Sequence, residues 1–100
     1  MTLLHEMMNQ RNTYMDNIKT QYLDPRWQER RQMILQRDHW KCRNCGSKDQ
    51  LVVHHRQYHS DAATKTPRNV WEYSDCYLIT LCDACHAEGH KLFKIPNYYL

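Results

Sequence analysis

The stretch Leu78-Ile79-Thr80-Leu81-Cys82-Asp83-Ala84-Cys85-His86-Ala87-Glu88-Gly89-His90 decides how this chain is read. Tyr77 to Leu81 favours a short strand, and Cys82 to Lys91 turns through a Cys-x-x-Cys knuckle into a helix. A second knuckle lies upstream at Cys42-Arg43-Asn44-Cys45-Gly46. A knuckle sets two sulfurs about one turn apart, and two knuckles complete a tetrahedral zinc set. Cys42, Cys45, Cys82 and Cys85 are therefore expected to share one structural Zn²⁺, clamping the strand region to the start of the last helix. Two alternatives stay open at this point: free or redox-active thiols, and a Cys2His2 site using one knuckle and two nearby histidines. Cys76 stands apart and reads as a small core residue.

Working outward, Leu51-Val52-Val53-His54-His55 has the branched residues of a strand, whose alternating side chains send the two histidines to opposite faces. His86 and His90, four apart, share one face of the final helix and can bind a single ion. His54 is placed to add a third ligand from the strand, and His55, pointing the other way, is expected to be free to accept a proton. Three neutral imidazoles leave positions open for a phosphate oxygen, which a closed structural site does not. The quieter reading makes each histidine an ordinary surface or core residue, as it does His5, His39 and His59.

Composition says why staples are needed. One hundred residues make one domain, and the 41% of hydrophobic residues include seven Tyr, five Met, three Trp and five Cys, so the aliphatic core is thin. No signal-like opening and no apolar run long enough for a membrane span are present, so a soluble protein of a reducing compartment, the cytoplasm, is expected. The net charge of +3, from 14 Lys and Arg against 11 Asp and Glu, is only mildly basic. Its distribution matters more: Arg26, Arg30, Arg31, Arg37, Lys41 and Arg43 crowd one segment.

Toward the N-terminus, Asp24-Pro25 is a helix start, with the Asp side chain accepting from first-turn amides and Pro losing nothing at the first position. A helix from about Pro25 to Asp38 follows, with Trp27, Arg30 or Arg31, Ile34 and Leu35 supplying its buried stripe. Residues 3–22 carry Leu3, Leu4, Met7, Met8, Tyr14, Met15, Ile18 and Tyr22 at a loose helical spacing. Ser60 to Asn69 reads as a loop, and Lys94 to Leu100 as an irregular tail.

Taken together, Trp27-x-x-x-Arg31, Arg37-Asp38, Cys42-x-x-Cys45-Gly46, Leu51-x-Val53-His54-His55 and Leu78-Ile79-Thr80-Leu81-Cys82-x-x-Cys85-His86-x-x-x-His90 resemble the HNH endonuclease family. The resemblance covers roughly residues 27–91 and implies an α+β fold: a small ββα-metal (His-Me finger) domain with a structural zinc and added N-terminal helices. It implies three parts, a helical extension at 1–24, the nuclease domain at 25–95 and a tail at 96–100. It also implies metal ligands at His54, His86 and His90 and a general base at His55. The family's usual asparagine falls on Tyr77, a departure that implies a weaker enzyme, a substitute such as Asn69 or Asp75, or a retired active site kept for binding.

By resemblance, the activity is hydrolysis of phosphodiester bonds in double-stranded DNA inside a bacterial or phage-infected cell. The catalytic ion is expected to be Mg²⁺, Mn²⁺, Zn²⁺ or Ni²⁺, although imidazoles favour the last two over Mg²⁺. Phosphate contacts are expected from Arg43, Lys48, Arg56, Lys65, Arg68, Lys91 and Lys94. Pairing with a second copy, or membership of a larger phage or defence assembly, fits the small size and the absence of a base-reading element. The rival is a non-catalytic zinc-stabilised module binding nucleic acid or a protein. A zinc deaminase fits poorly: His86-Ala87-Glu88 has its His-x-Glu, but no Pro-Cys-x-x-Cys follows.

Overall fold

A computed structural model describes residues 19–100 of the chain. Most of the helix expected over 3–22 thus lies outside the described residues, of which 19–23 are helical. Helix α1 (Pro25–Arg37) starts where Asp24 accepts the Arg26 amide at 2.8 Å and buries Trp27, Ile34 and Leu35. Strand β1 (Leu51–His55) pairs antiparallel with β3 (Leu78–Cys82), from Leu51 opposite Cys82 to His55 opposite Leu78. Helix α2 (Asp83–Leu92) follows β3 directly, with the Cys82 sulfur accepting the Cys85 amide at its start. A short β2 (Tyr58–Ser60) lies between β1 and β3 in the chain. The molecule is thus a small α+β fold.

Alternation along β1 and β3 gives the hairpin two different faces. Val53 and His55 from β1, with Leu78, Thr80 and Cys82 from β3, are buried on the face that meets α1. There Trp27, Ile34, Leu35, Val53, Val70, Tyr73 and Leu78 form one apolar cluster. The opposite face carries His54 and Leu81 toward α2.

Asp38, at the end of α1, ties the helix to the hairpin. Its side chain, 2% exposed, accepts the Thr80 amide at 3.0 Å and the Arg37 guanidinium at 2.8 and 2.9 Å. Arg37 also donates to the carbonyls of Asp75 and Leu78, both at 2.7 Å. The Thr80 carbonyl in turn accepts the Arg43 amide at 3.0 Å, which lays the first knuckle alongside β3. That knuckle closes through Gly46 at φ 79°, a left-handed turn that suits a residue without a Cβ.

Three expectations need correction. The tail is not irregular: β4 (Asn97–Tyr99) runs parallel to β2, with Tyr58 opposite Asn97 and Ser60 opposite Tyr99. Tyr77 lies outside β3, in a 3-10 turn spanning Asp75–Tyr77. Cys76 is exposed rather than in the core, because the same turn carries it on the outside. Among the described residues, no helix is long and apolar enough to cross a membrane.

Candidate metal centres

Helix α2 has no fully buried residue, so apolar packing contributes little to fastening it to the hairpin. What it offers are ligand atoms: Cys85 at its first turn, and His86 and His90 along one face. Cys82, at the end of β3, brings a further sulfur to the same place.

The sulfurs of Cys42, Cys45, Cys82 and Cys85 all lie within 4.8 Å of one another, and Cys45 and Cys82 are 3.6 Å apart. A tetrahedral zinc with bonds of about 2.3 Å spaces its sulfurs about 3.8 Å apart, so the set fits. No disulfide competes for these sulfurs. Backbone amides of Cys45 and Cys85 donate to Cys42 and Cys82, each at 3.4 Å, and the Asn44 side-chain Nδ2 donates to Cys85 at 3.3 Å. These donors suit thiolates. Burial raises the Cys42 thiol, but donors from Cys45, Cys82 and Asn44 outweigh it and bring the group down to about 6. The Asn44 donor lowers Cys85, yet the neighbouring sulfurs of Cys82 and Cys45 prevail and push it up to about 12. One thiolate thus opposes the next, which is the electrostatic situation a dication relieves. The four cysteines form a cluster able to hold a metal such as zinc.

The second cluster joins both elements of the hairpin's outer face. Ring nitrogens of His54, His86 and His90 lie within 4.8 Å of one another. The His86 and His90 Nε2 atoms are 2.9 Å apart, and the His54 ring stands 5.0 Å and 5.5 Å from theirs, centre to centre. Burial, followed by the neighbouring His86, His90 and His55 and by Arg56, lowers His54 to about 4. Burial and His90 lower His86 as well. Neutral rings keep the lone pairs that a metal needs. The two clusters are separate, four sulfurs in one and three imidazoles in the other, so a mixed Cys2His2 set is not what the fold assembles.

The imidazoles open into a cavity of about 210 Å³ lined also by Arg56, Leu81, Gly89, Phe93, Lys94, Ile95 and Pro96. Among the described residues its lining holds two cations, Arg56 and Lys94, and no carboxylate. Of the cationic positions singled out from the sequence, Arg56 and Lys94 therefore meet at the imidazoles. The others lie elsewhere on the surface: Lys91 is exposed on α2 and Lys48 beyond the first knuckle. Arg43 sits 3.6 Å from Asp38, Lys65 lies over the Tyr99 ring at 4.5 Å, and the Arg68 guanidinium lies 5.7 Å from the Tyr73 ring.

His55 is not the open proton acceptor that the sequence suggested. It is 2% exposed, stacked on Trp27 at 5.1 Å and Tyr58 at 5.2 Å, and its Nε2 is 2.9 Å from the Val70 carbonyl. Strand alternation, which brings His54 to α2, turns His55 into the core beneath α1. Burial lowers its pKa, against the opposing pull of the Val70 carbonyl, so it sits there neutral. Tyr77 is partly buried 4.9 Å from the His59 ring. Asn69 bonds to Gln21 and Glu72, and Asp75 pairs with Arg30, and neither lines the imidazole cavity.

Sequence reading missed the cavity's far wall, Phe93 to Pro96, because those residues carry no chemistry-bearing group except Lys94. It also missed a larger cavity of about 460 Å³ bounded by Tyr22, Tyr58, Asn69 and Asn97. Its walls come from four distant segments, and no local motif marks them. No protein-family model, curated protein or solved structure matches the chain.

Proposed function

We propose that this chain is a metal-dependent endonuclease that hydrolyses phosphodiester bonds in nucleic acid, with its ion on His54, His86 and His90. One observation carries the reading. Three imidazoles from two elements converge at a cavity whose lining, among the described residues, includes the two cations Arg56 and Lys94 and no carboxylate. A structural site closes four ligands around its ion; three ligands facing a cavity leave room for a substrate oxygen. The donor set suits Zn²⁺ or Ni²⁺ better than Mg²⁺. A divalent ion held by His54, His86 and His90 would supply Lewis acidity toward a phosphoryl oxygen. Arg56 and Lys94 hold the phosphate by charge, and Leu81, Phe93, Ile95 and Pro96 wall the cavity with apolar surface, which strengthens those contacts. The cysteine cluster keeps α2, and with it His86 and His90, in place.

The burial of His55 favours one second reading, the zinc-stabilised module that binds nucleic acid or protein without cutting. Nicking of supercoiled plasmid separates the two. Zinc-loaded protein is given Mg²⁺, Mn²⁺, Zn²⁺ or Ni²⁺ in turn, beside His86→Ala protein whose circular dichroism matches the wild type and whose cysteine cluster keeps its zinc. The nuclease reading expects metal-stimulated nicking that His86→Ala reduces by more than the roughly 10- to 100-fold lost with an outer-shell partner. Absence of nicking with every ion, from folded zinc-loaded protein, leaves the non-catalytic module.

A further inference from the structure

The larger cavity has the chemistry of a nucleobase site. Its volume of about 460 Å³ falls within the roughly 300–1,000 Å³ of small-ligand pockets. The rings of Tyr22 and Tyr58 give it flat apolar walls, and the amides of Gln21, Asn69 and Asn97 give it a polar edge. Two of those amides are held in place: Gln21 donates to Asn69 at 3.2 Å and accepts the Val70 amide at 3.0 Å. Asn97 accepts from Ser60 at 3.3 Å, and among the described residues no partner takes its amide nitrogen. Arg68 lines the cavity from an exposed position and supplies a cation there. Aromatic faces, amide donors and acceptors, and one cation match the three parts of a nucleotide.

Position gives the cavity its occupant. Arg56 lines the imidazole cavity and Tyr58 the larger one; Pro96 lines the first and Asn97 the second. The Tyr58 amide donates to the Pro96 carbonyl at 2.9 Å, so these two pairs form a shared wall. We propose that the larger cavity takes the base of an unpaired nucleotide next to the phosphate at the imidazoles. The substrate is then single-stranded or locally unpaired nucleic acid rather than intact duplex. This rests on the nuclease reading for the phosphate, but the base site is tested by binding alone.

The probe is a single-stranded oligonucleotide carrying one 2-aminopurine, titrated into full-length zinc-loaded protein with no further metal added. Stacking in the cavity quenches its fluorescence saturably, and a duplex of the same sequence binds at least about ten-fold more weakly. Tyr58→Leu is expected to weaken single-strand binding about ten-fold or more, while Tyr58→Phe, which keeps the ring, is not. Because Tyr58 also stacks on His55, Asn97→Ala and Arg68→Gln, both at exposed positions, carry the test if Tyr58→Leu does not fold; each is expected to weaken binding a few-fold. Equal affinity for single strand and duplex, unchanged by Asn97→Ala and Arg68→Gln, overturns the base site even if the protein nicks plasmid. Single-strand binding that depends on these residues, in a protein that cuts nothing, upholds the base site and removes the nuclease.

Discussion

His55→Ala removes a ring packed against Trp27, Tyr58 and Tyr73, the last at 4.9 Å, and leaves the Val70 carbonyl without its 2.9 Å partner. Truncating a buried aromatic costs about 3–5 kcal/mol, and an imidazole, smaller and more polar than a phenyl ring, sits near the low end. The orphaned carbonyl adds about 1 kcal/mol once water reaches the space. A loss of about 4 kcal/mol lowers the melting temperature of a 100-residue domain by roughly 15–30 °C. His55→Phe keeps the volume and the stacks and loses only the hydrogen bond, about 1–2 kcal/mol. Urea unfolding followed by circular dichroism in saturating zinc measures both, and plasmid nicking below the variants' transitions measures activity. The account expects His55→Phe to nick at close to the wild-type rate, since His54, His86 and His90 are untouched. A well-folded His55→Phe protein without activity would make His55 a proton acceptor after all, and a His55→Ala protein as stable as the wild type would refute its burial.

The same burial sets a pH dependence. The folded pKa of His55 lies below its ordinary value, so the unfolded chain takes up the proton first. His55 thus contributes stability that is present above about pH 6.5 and lost as the pH falls toward the folded value. Urea midpoints of wild type and His55→Phe measured across that window should converge on acidification; a constant gap would contradict the assignment. Asp38→Asn should cost about 2–3 kcal/mol in the same urea assay, because Arg37 would keep its charge beside a carboxamide at the α1–β3 junction; a loss below about 0.5 kcal/mol would dismiss that tie. Chelation of zinc should abolish the far-ultraviolet signal of α2 and reverse on adding zinc back, because no buried residue of α2 holds it; an unchanged spectrum would show that the cysteine cluster is not a staple.

The parts legible in the sequence are those whose cause is local. Asp24-Pro25 announced α1 because cap and proline act within one turn, and the spacing of Trp27, Ile34 and Leu35 placed its buried stripe. The branched residues of Leu51 to His55 placed β1 within the residues it occupies, and the knuckle after Leu81 fixed where α2 begins. Both ligand clusters follow from such local spacing plus one antiparallel pairing. The role of His55 was not legible. Alternation says that neighbours on a strand face opposite ways, but not which face is roofed by α1, and Trp27 decides that from far along the chain. Strands β2 and β4, three residues each, are too short to show an alternation, and their parallel pairing joins segments far apart in sequence. Tyr58 and Asn97 likewise line one cavity only because that pairing sets them opposite each other.

The account depends on sulfur bracing the scaffold while imidazole presents a second ion. Anomalous difference density at the zinc edge, from crystals of zinc-loaded protein, tests this most directly. Two peaks per chain are predicted, one among the sulfurs of Cys42, Cys45, Cys82 and Cys85 and one among the ring nitrogens of His54, His86 and His90. A single peak at the sulfurs, or one ion sharing sulfur and imidazole ligands, would contradict it.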